Sequence, residues 1–170
     1  KLINETTTDT MWMYDAELDI ETYVIEITEP EIDWTQQWAV QIPYIQELVS
    51  MHPDDFHLNL LLGTFYLQTG NTIKGKHSLY KALSLDKNSP AVRNMLGYAF
   101  LEMGNPLRAE KEFNKYINLL PEAANPYDSK GDFYARTGQM DKALTMYDKA
   151  YFIDTRFLAS KNKADRIRKR

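Results

Sequence analysis

Glycine constrains this chain more than any other residue. Six of its seven glycines fall into two columns, Gly63, Gly97 and Gly131, then Gly70, Gly104 and Gly138, with 34 residues between successive members. A ring follows the first column three positions on, at Tyr66, Phe100 and Tyr134. A fixed period of this length marks stacked supersecondary units, each burying its apolar face against a neighbour. The units read as Phe56–Lys87, Pro90–Pro121 and Ala124–Thr155, each two amphipathic helices with a turn at the second glycine. Mid-helix glycine costs about 1 kcal/mol against alanine, so the first column needs a packing reason, the close approach of two helices. The second column ends the first helix of each unit, where glycine adopts the left-handed conformation cheaply.

Local signals refine the boundaries. Asp55 is placed to cap the first helix, and Ser89-Pro90 starts the third. Asn125-Pro126-Tyr127-Asp128 reads as another start, with Asn125 as N-cap, so Pro121–Ala124 is expected to be a longer loop. Ala82 and Ala150 keep the second helices slim, and Tyr116 replaces them in the middle unit. Gly75, Asn59, Arg93 and Lys130 stand where the other copies suggest larger or more apolar residues, which weakens single contacts without breaking the period.

Leu96-Gly97, Phe100, Ala109, Phe113 and Pro121, and again Tyr127, Gly131, Tyr134, Ala143, Tyr147 and Ala150, recur at the offsets of one pattern. The chain resembles the tetratricopeptide repeat family across residues 56–155. That resemblance implies an all-α fold, a right-handed superhelix of helix-turn-helix repeats. It implies that first helices line a concave face that binds an extended peptide or a partner helix. By the family's offsets that face is lined by His57, Leu60, Thr64 and Leu67, then Ala91, Asn94, Tyr98 and Leu101, then Asn125, Asp128, Asp132 and Ala135. Two apolar rows and one acidic row suit a protein or peptide with an apolar stretch and a basic end. One branch of the family grips chaperone tails with lysine, asparagine and arginine. At those positions this chain has Leu60, Thr64, Met95, Asn125 and Ser129, so that clamp is absent. Asn125–Asp132, with Lys115–Pro121 before it, resembles a group of bacterial repeat proteins, some exported. A bacterial source is therefore expected, with periplasm and cytoplasm both open.

The flanks differ in charge. Residues 1–34 carry a net −9, residues 35–160 are balanced, and residues 161–170 carry +5. Residues 1–34 form an acidic N-terminal extension, short and irregular or β-like. Residues 1–10 show no pattern, Met11–Tyr14 is an apolar patch, and Tyr14–Val24 alternates as a strand does, with a helix as the alternative. Its burial is expected against the helix over residues 34–51, in the groove, or in a homodimer through residues 11–28. The repeat domain covers 35–170: a partial repeat at 35–53 whose Pro43 falls early in its helix, repeats 56–87, 90–121 and 124–155, and a capping helix at 157–168. Lys1 at the first position predicts a trimmed or processed chain.

Little catalytic chemistry is visible. There is no cysteine, which removes disulfides and thiolate metal sites. His52, Asp54, Asp55 and His57 are close in sequence, but Pro53 and Asp55 read better as a helix start than as a metal site. No phosphate-binding glycine loop occurs, no nucleophile accompanies Asp128 and Asp132, and no cofactor is expected. No stretch reaches the roughly 18 apolar residues of a membrane span. The basic end suits the negative pole of a helix better than it suits nucleic acid, because the body has no basic excess. The expected function is a non-catalytic protein–protein interaction scaffold. Alternatives are a self-assembling structural unit and an accessory domain of a larger enzyme or receptor.

Overall fold

The period of the glycines is also the period of the helices. First helices start at Phe56, Pro90 and Ala124, and second helices at Thr72, Pro106 and Met140. The structure is a computed structural model and describes residues 8–10, 26–28 and 34–169. In chain order the elements are β1 (Thr8–Thr10), β2 (Glu26–Thr28), α1 (Trp34–Met51), α2 (Phe56–Gln68), α3 (Thr72–Leu85), α4 (Pro90–Glu102), α5 (Pro106–Leu119), α6 (Ala124–Arg136), α7 (Met140–Ile153) and α8 (Leu158–Arg168). Helices α2 and α3, α4 and α5, and α6 and α7 pack as pairs; α1 lies against α2, and α8 against α7.

Each pair turns on three residues. Gly70, Gly104 and Gly138 have φ of +77°, +67° and +77°, the left-handed conformation that ends a helix. The residue after each glycine donates its N–H to the helix carbonyl five positions back, at 2.7–2.8 Å. The other column brings the helices together. A Cβ on Gly97 would stand 2.7 Å from the Phe113 ring, and one on Gly131 would stand 2.5 Å from the Tyr147 ring. Gly75 works the same way from the facing helix, since a Cβ there would meet the Gly63 carbonyl oxygen at 3.0 Å. The change from alanine at that position is therefore demanded by close packing.

The main core runs through α3, α4, α5 and α6: Leu79, Ala82, Val92, Leu96, Phe100, Ala109, Phe113 and Phe133. A second cluster of Ala143, Tyr147 and Ala164 joins α7 to α8. Asp55 caps α2 by accepting the Leu58 N–H at 2.9 Å, and Ser89 caps α4 by accepting that of Val92 at 3.3 Å.

Four expectations change. α6 starts at Ala124, with Ala123 at the N-cap and no side chain bonding there. Asn125 lies inside the helix and donates to the Tyr116 hydroxyl at 2.8 Å, so the period overrides the local Asn-Pro signal and no longer loop forms. Pro43 falls in the middle of α1, because the helix begins four residues before the register of the other second helices. Its exposed position lets water take the carbonyl that loses a partner. In the head, Thr8–Thr10 pairs antiparallel with Glu26–Thr28, although residues 1–10 show no pattern of their own. Three residues are too short for a period, and the ladder depends on the partner strand. The Met11–Tyr14 patch, the Tyr14–Val24 alternation and most of the 11–28 dimer segment lie outside the described residues.

Gly97→Leu tests the close approach. Phe113 is fully buried and has nowhere to move, so the variant should lose about 1–3 kcal/mol in urea unfolding. Unchanged stability would show that the pair is looser than its geometry.

Candidate binding groove

First helices α2, α4 and α6 lie side by side, and a groove of about 540 Å³ opens between them. Its apolar lining includes Leu67, Met95, Ala99 and Ala135. Tyr98, Asp132 and Tyr147 form its polar floor, with Glu102 and Arg136 ion-paired at 2.7 Å on its rim. Of the residues expected on the concave face, Leu67, Tyr98, Asp132 and Ala135 line this groove. Leu60 and Leu101 pack against the main core. The Thr64 hydroxyl donates to the Leu60 carbonyl at 2.9 Å. His57 is exposed beside the Phe56 ring, and Ala91 is exposed. Asn94 sits one turn from Tyr98, and its buried Oδ1 has no hydrogen-bond partner. Asn125 is tied to Tyr116, and Asp128 lies under α8.

The polar floor is one network. Asp132 Oδ2 accepts the Tyr98 hydroxyl at 3.0 Å. Its Oδ1 accepts the Tyr147 hydroxyl and Lys163 Nζ, both at 2.8 Å. Lys163 also donates to Asp128 Oδ2 at 2.8 Å, and Ser160 donates to Asp128 Oδ1 at 2.6 Å. One ammonium thus serves two carboxylates, leaving a net charge of −1. Burial raises the pKa of the Tyr98 and Tyr147 phenols far above the usual value, and the Asp132 charge raises them further. For Lys163 burial works against the charge, but hydrogen bonds and charges from Asp128 and Asp132 outweigh it and raise its pKa.

A second network joins α5 and α6. Lys130 is buried and donates to Glu110 Oε1 at 2.9 Å, and the Tyr134 hydroxyl donates to the same oxygen at 3.2 Å. The Lys130 ammonium lies 4.7 Å from the centre of the Phe133 ring and 4.8 Å from that of Tyr134. Burial lowers the Lys130 pKa, and the hydrogen bond from Lys130 lowers that of Glu110.

Sequence reasoning did not place Met95, Ala99 and Glu102 in the groove, although Met95 and Glu102, three before and four after Tyr98, share its face of α4. Tyr147 gave no such signal, because it comes from a second helix at the position filled by Leu79 and Phe113 elsewhere. In the His52–His57 cluster Asp55 caps α2, and Asp54 pairs with Lys81 at 2.7 Å. Among the described residues no three His, Asp or Glu side chains gather as a metal site, and no helix is long and apolar enough to cross a membrane.

The tetratricopeptide repeat model matches residues 56–89 and 124–154. A mitochondrial import receptor subunit, TOM70 of Homo sapiens, is 30% identical over 93 residues, which are 52% of this chain and 15% of that protein. The chain thus spans a small part of that relative. Among solved structures, the repeat protein TTC0263 of Thermus thermophilus aligns with a TM-score of 0.71 at 15% identity, over 78% of this chain and 73% of that one. The first repeat domain of Spaghetti (RPAP3), bound to the HSP90 peptide SRMEEVD, aligns at 0.60 and 15% identity, over 67% and 90%. The chain carries tetratricopeptide repeats, in an all-α array of stacked helix pairs.

Raised values for Tyr98, Tyr147 and Lys163 mean that the folded state holds these protons more tightly than the unfolded chain. Their stabilisation is complete below the ordinary tyrosine and lysine values and is lost as pH rises above about 10. The melting temperature should fall steeply there, and the phenolate absorbance of Tyr98 and Tyr147 should appear only with unfolding. Tyr98→Phe removes one donor to Asp132, costs about 1 kcal/mol and should make the alkaline fall shallower. An alkaline profile identical to that of the unchanged chain would show that the phenol contributes nothing.

Proposed function

We propose that this chain is a non-catalytic protein-interaction module whose concave groove takes an extended segment of a partner. The observation that carries this reading is the groove itself: an open apolar trough on the first-helix face, with Tyr98 held by Asp132 at its centre. The ring is large, amphipathic and has few rotatable bonds, which suits an anchor. Its orientation is fixed before any ligand arrives, so little ordering remains to oppose binding.

The comparisons support the class of function. One relative is a receptor subunit, and one structure of this fold holds a peptide. That peptide is acidic. This chain carries Leu60, Thr64, Met95, Asn125 and Ser129 where the chaperone-tail clamp has its cationic and amide groups, and its groove floor is net negative. The ligand proposed here therefore has an apolar side chain for the Leu67, Met95 and Ala135 surface and a cation rather than a carboxylate beside it.

A displayed library of random peptides selected on the full chain should yield apolar sequences with Lys or Arg. Met95→Glu and Ala135→Trp, which charge and fill the trough respectively, should each weaken those peptides at least about tenfold, or 1.4 kcal/mol. Thermal unfolding of each variant verifies the fold. Peptides that bind both folded variants unchanged place the binding surface elsewhere.

A further inference from the structure

Helix α1 is apolar on two opposite faces. Trp38, Ile42, Ile45 and Val49 form the half-buried face, with Trp38 stacked on Phe65 of α2 at 6.5 Å. The other face is Val40, Tyr44, Leu48 and Met51, at 67%, 67%, 38% and 58% exposure. Spacings of four, four and three keep these side chains in one stripe.

Register shows that this stripe departs from the array. α1 ends at Met51, 34 residues before the end of α3, so it corresponds in register to a second helix, and among the described residues no first helix precedes it. At the position of Val40, helices α3, α5 and α7 carry Lys74, Arg108 and Lys142, all exposed. At the position of Leu48 they carry Ala82, Tyr116 and Ala150, all buried. Thus α1 puts an apolar residue where the array faces water, and leaves open one that the array covers. Of its 18 residues only Glu47 is charged, in a chain with 26% charged residues. A face without charges is what the centre of a protein interface has and what a solvated helix lacks.

We infer that the outer face of α1 is a homodimer interface, in which it packs antiparallel on the same face of a second copy. Self-pairing is favoured because the stripe is its own complement. An antiparallel two-fold sets Val40 against the second copy's Met51 and Tyr44 against its Leu48, with no charge to select a different partner. The far end of the array cannot be the mate. α8 starts 34 residues after α6, yet it carries Asp165 and Arg168 where the other first helices have their close-packing glycine and their ring. Asp165 and Arg168 are paired at 3.0 Å, and Arg168 also binds Asp148 at 2.6 Å, so that end presents a charged surface. Association therefore joins α1 to α1 and closes as a pair; it does not extend as a filament. Glu47 flanks the stripe, and the two-fold brings both Glu47 carboxylates to the same side.

Sedimentation velocity on the full chain across a range of concentrations tests this. The expected result is a species of twice the 19.8 kDa chain mass that dissociates on dilution. Val40→Glu with Tyr44→Glu should give a monomer with unchanged helical circular dichroism, and Glu47→Gln should lower the dimer dissociation constant. The absence of cysteine allows a second measurement. Equimolar Tyr44→Cys and Leu48→Cys chains should join as a disulfide heterodimer on mild oxidation, well above the yield from Ile73→Cys, an equally exposed apolar position on α3. A monomer at every concentration overturns the inference, as does cross-linking no better than the control. A dimer that survives the double glutamate variant also overturns it, because the interface then lies on another surface.

Discussion

The array depends on one repeated contact: a side chain of the second helix lying where the first helix has no Cβ. Leu79 fills that place at Gly63, Phe113 at Gly97 and Tyr147 at Gly131. Sixteen residues separate the members of each pair, so the contact is local to its unit and returns with the period. Because the glycine is fixed, the facing side chain is free to vary, and its identity gives each unit its character. Leu79 gives plain core, and Phe113 extends the core by meeting Tyr98 edge-on at 5.1 Å. Tyr147 carries a hydroxyl through the same packing position to Asp132. A place that is purely structural in two units thus reaches the groove floor in the third.

The floor also shows how charge is handled in a stack of this kind. Asp128 and Asp132 sit one turn apart on α6, and their shared cation comes from α8, 31 and 35 residues further on. Lys163 is half-buried, so water screens this pairing less than an exposed ion pair, while its desolvation costs less than that of a fully buried one. The same atoms therefore do two jobs. They fasten the terminal helix to the last complete pair, and they fix the hydroxyls of Tyr98 and Tyr147 in place.

Much of this was legible from the glycine columns. Helix number, pairing and turn positions all follow from the period, because it is set by backbone conformation and steric contact. The charges were not. Lys163 reads as one cation among six in a basic tail, and only the fold brings it beneath Asp128. Continuing the period past Thr155 would have helped: it puts Leu158 at the start of a first helix and Lys163 one repeat after Ser129. Asn125 misled for the opposite reason. Its local helix-start signal was strong, but a cap contributes only about 1 kcal/mol and loses to packing repeated across the array.

The two ends of the array are unlike, and the difference is chemical. A stack of helix pairs has no natural boundary, because each unit offers the next the surface it received from the one before. α8 changes the residues at the two positions on which close helix pairing depends. Asp165 brings a Cβ and a charge to the glycine position, and Arg168 replaces the ring. α1 has made no such change. Leu48 stands at the place of Ala82, Tyr116 and Ala150, and Val40 replaces a cation. α8 carries charge at the positions of close packing, while α1 keeps the apolar surface on which stacking depends.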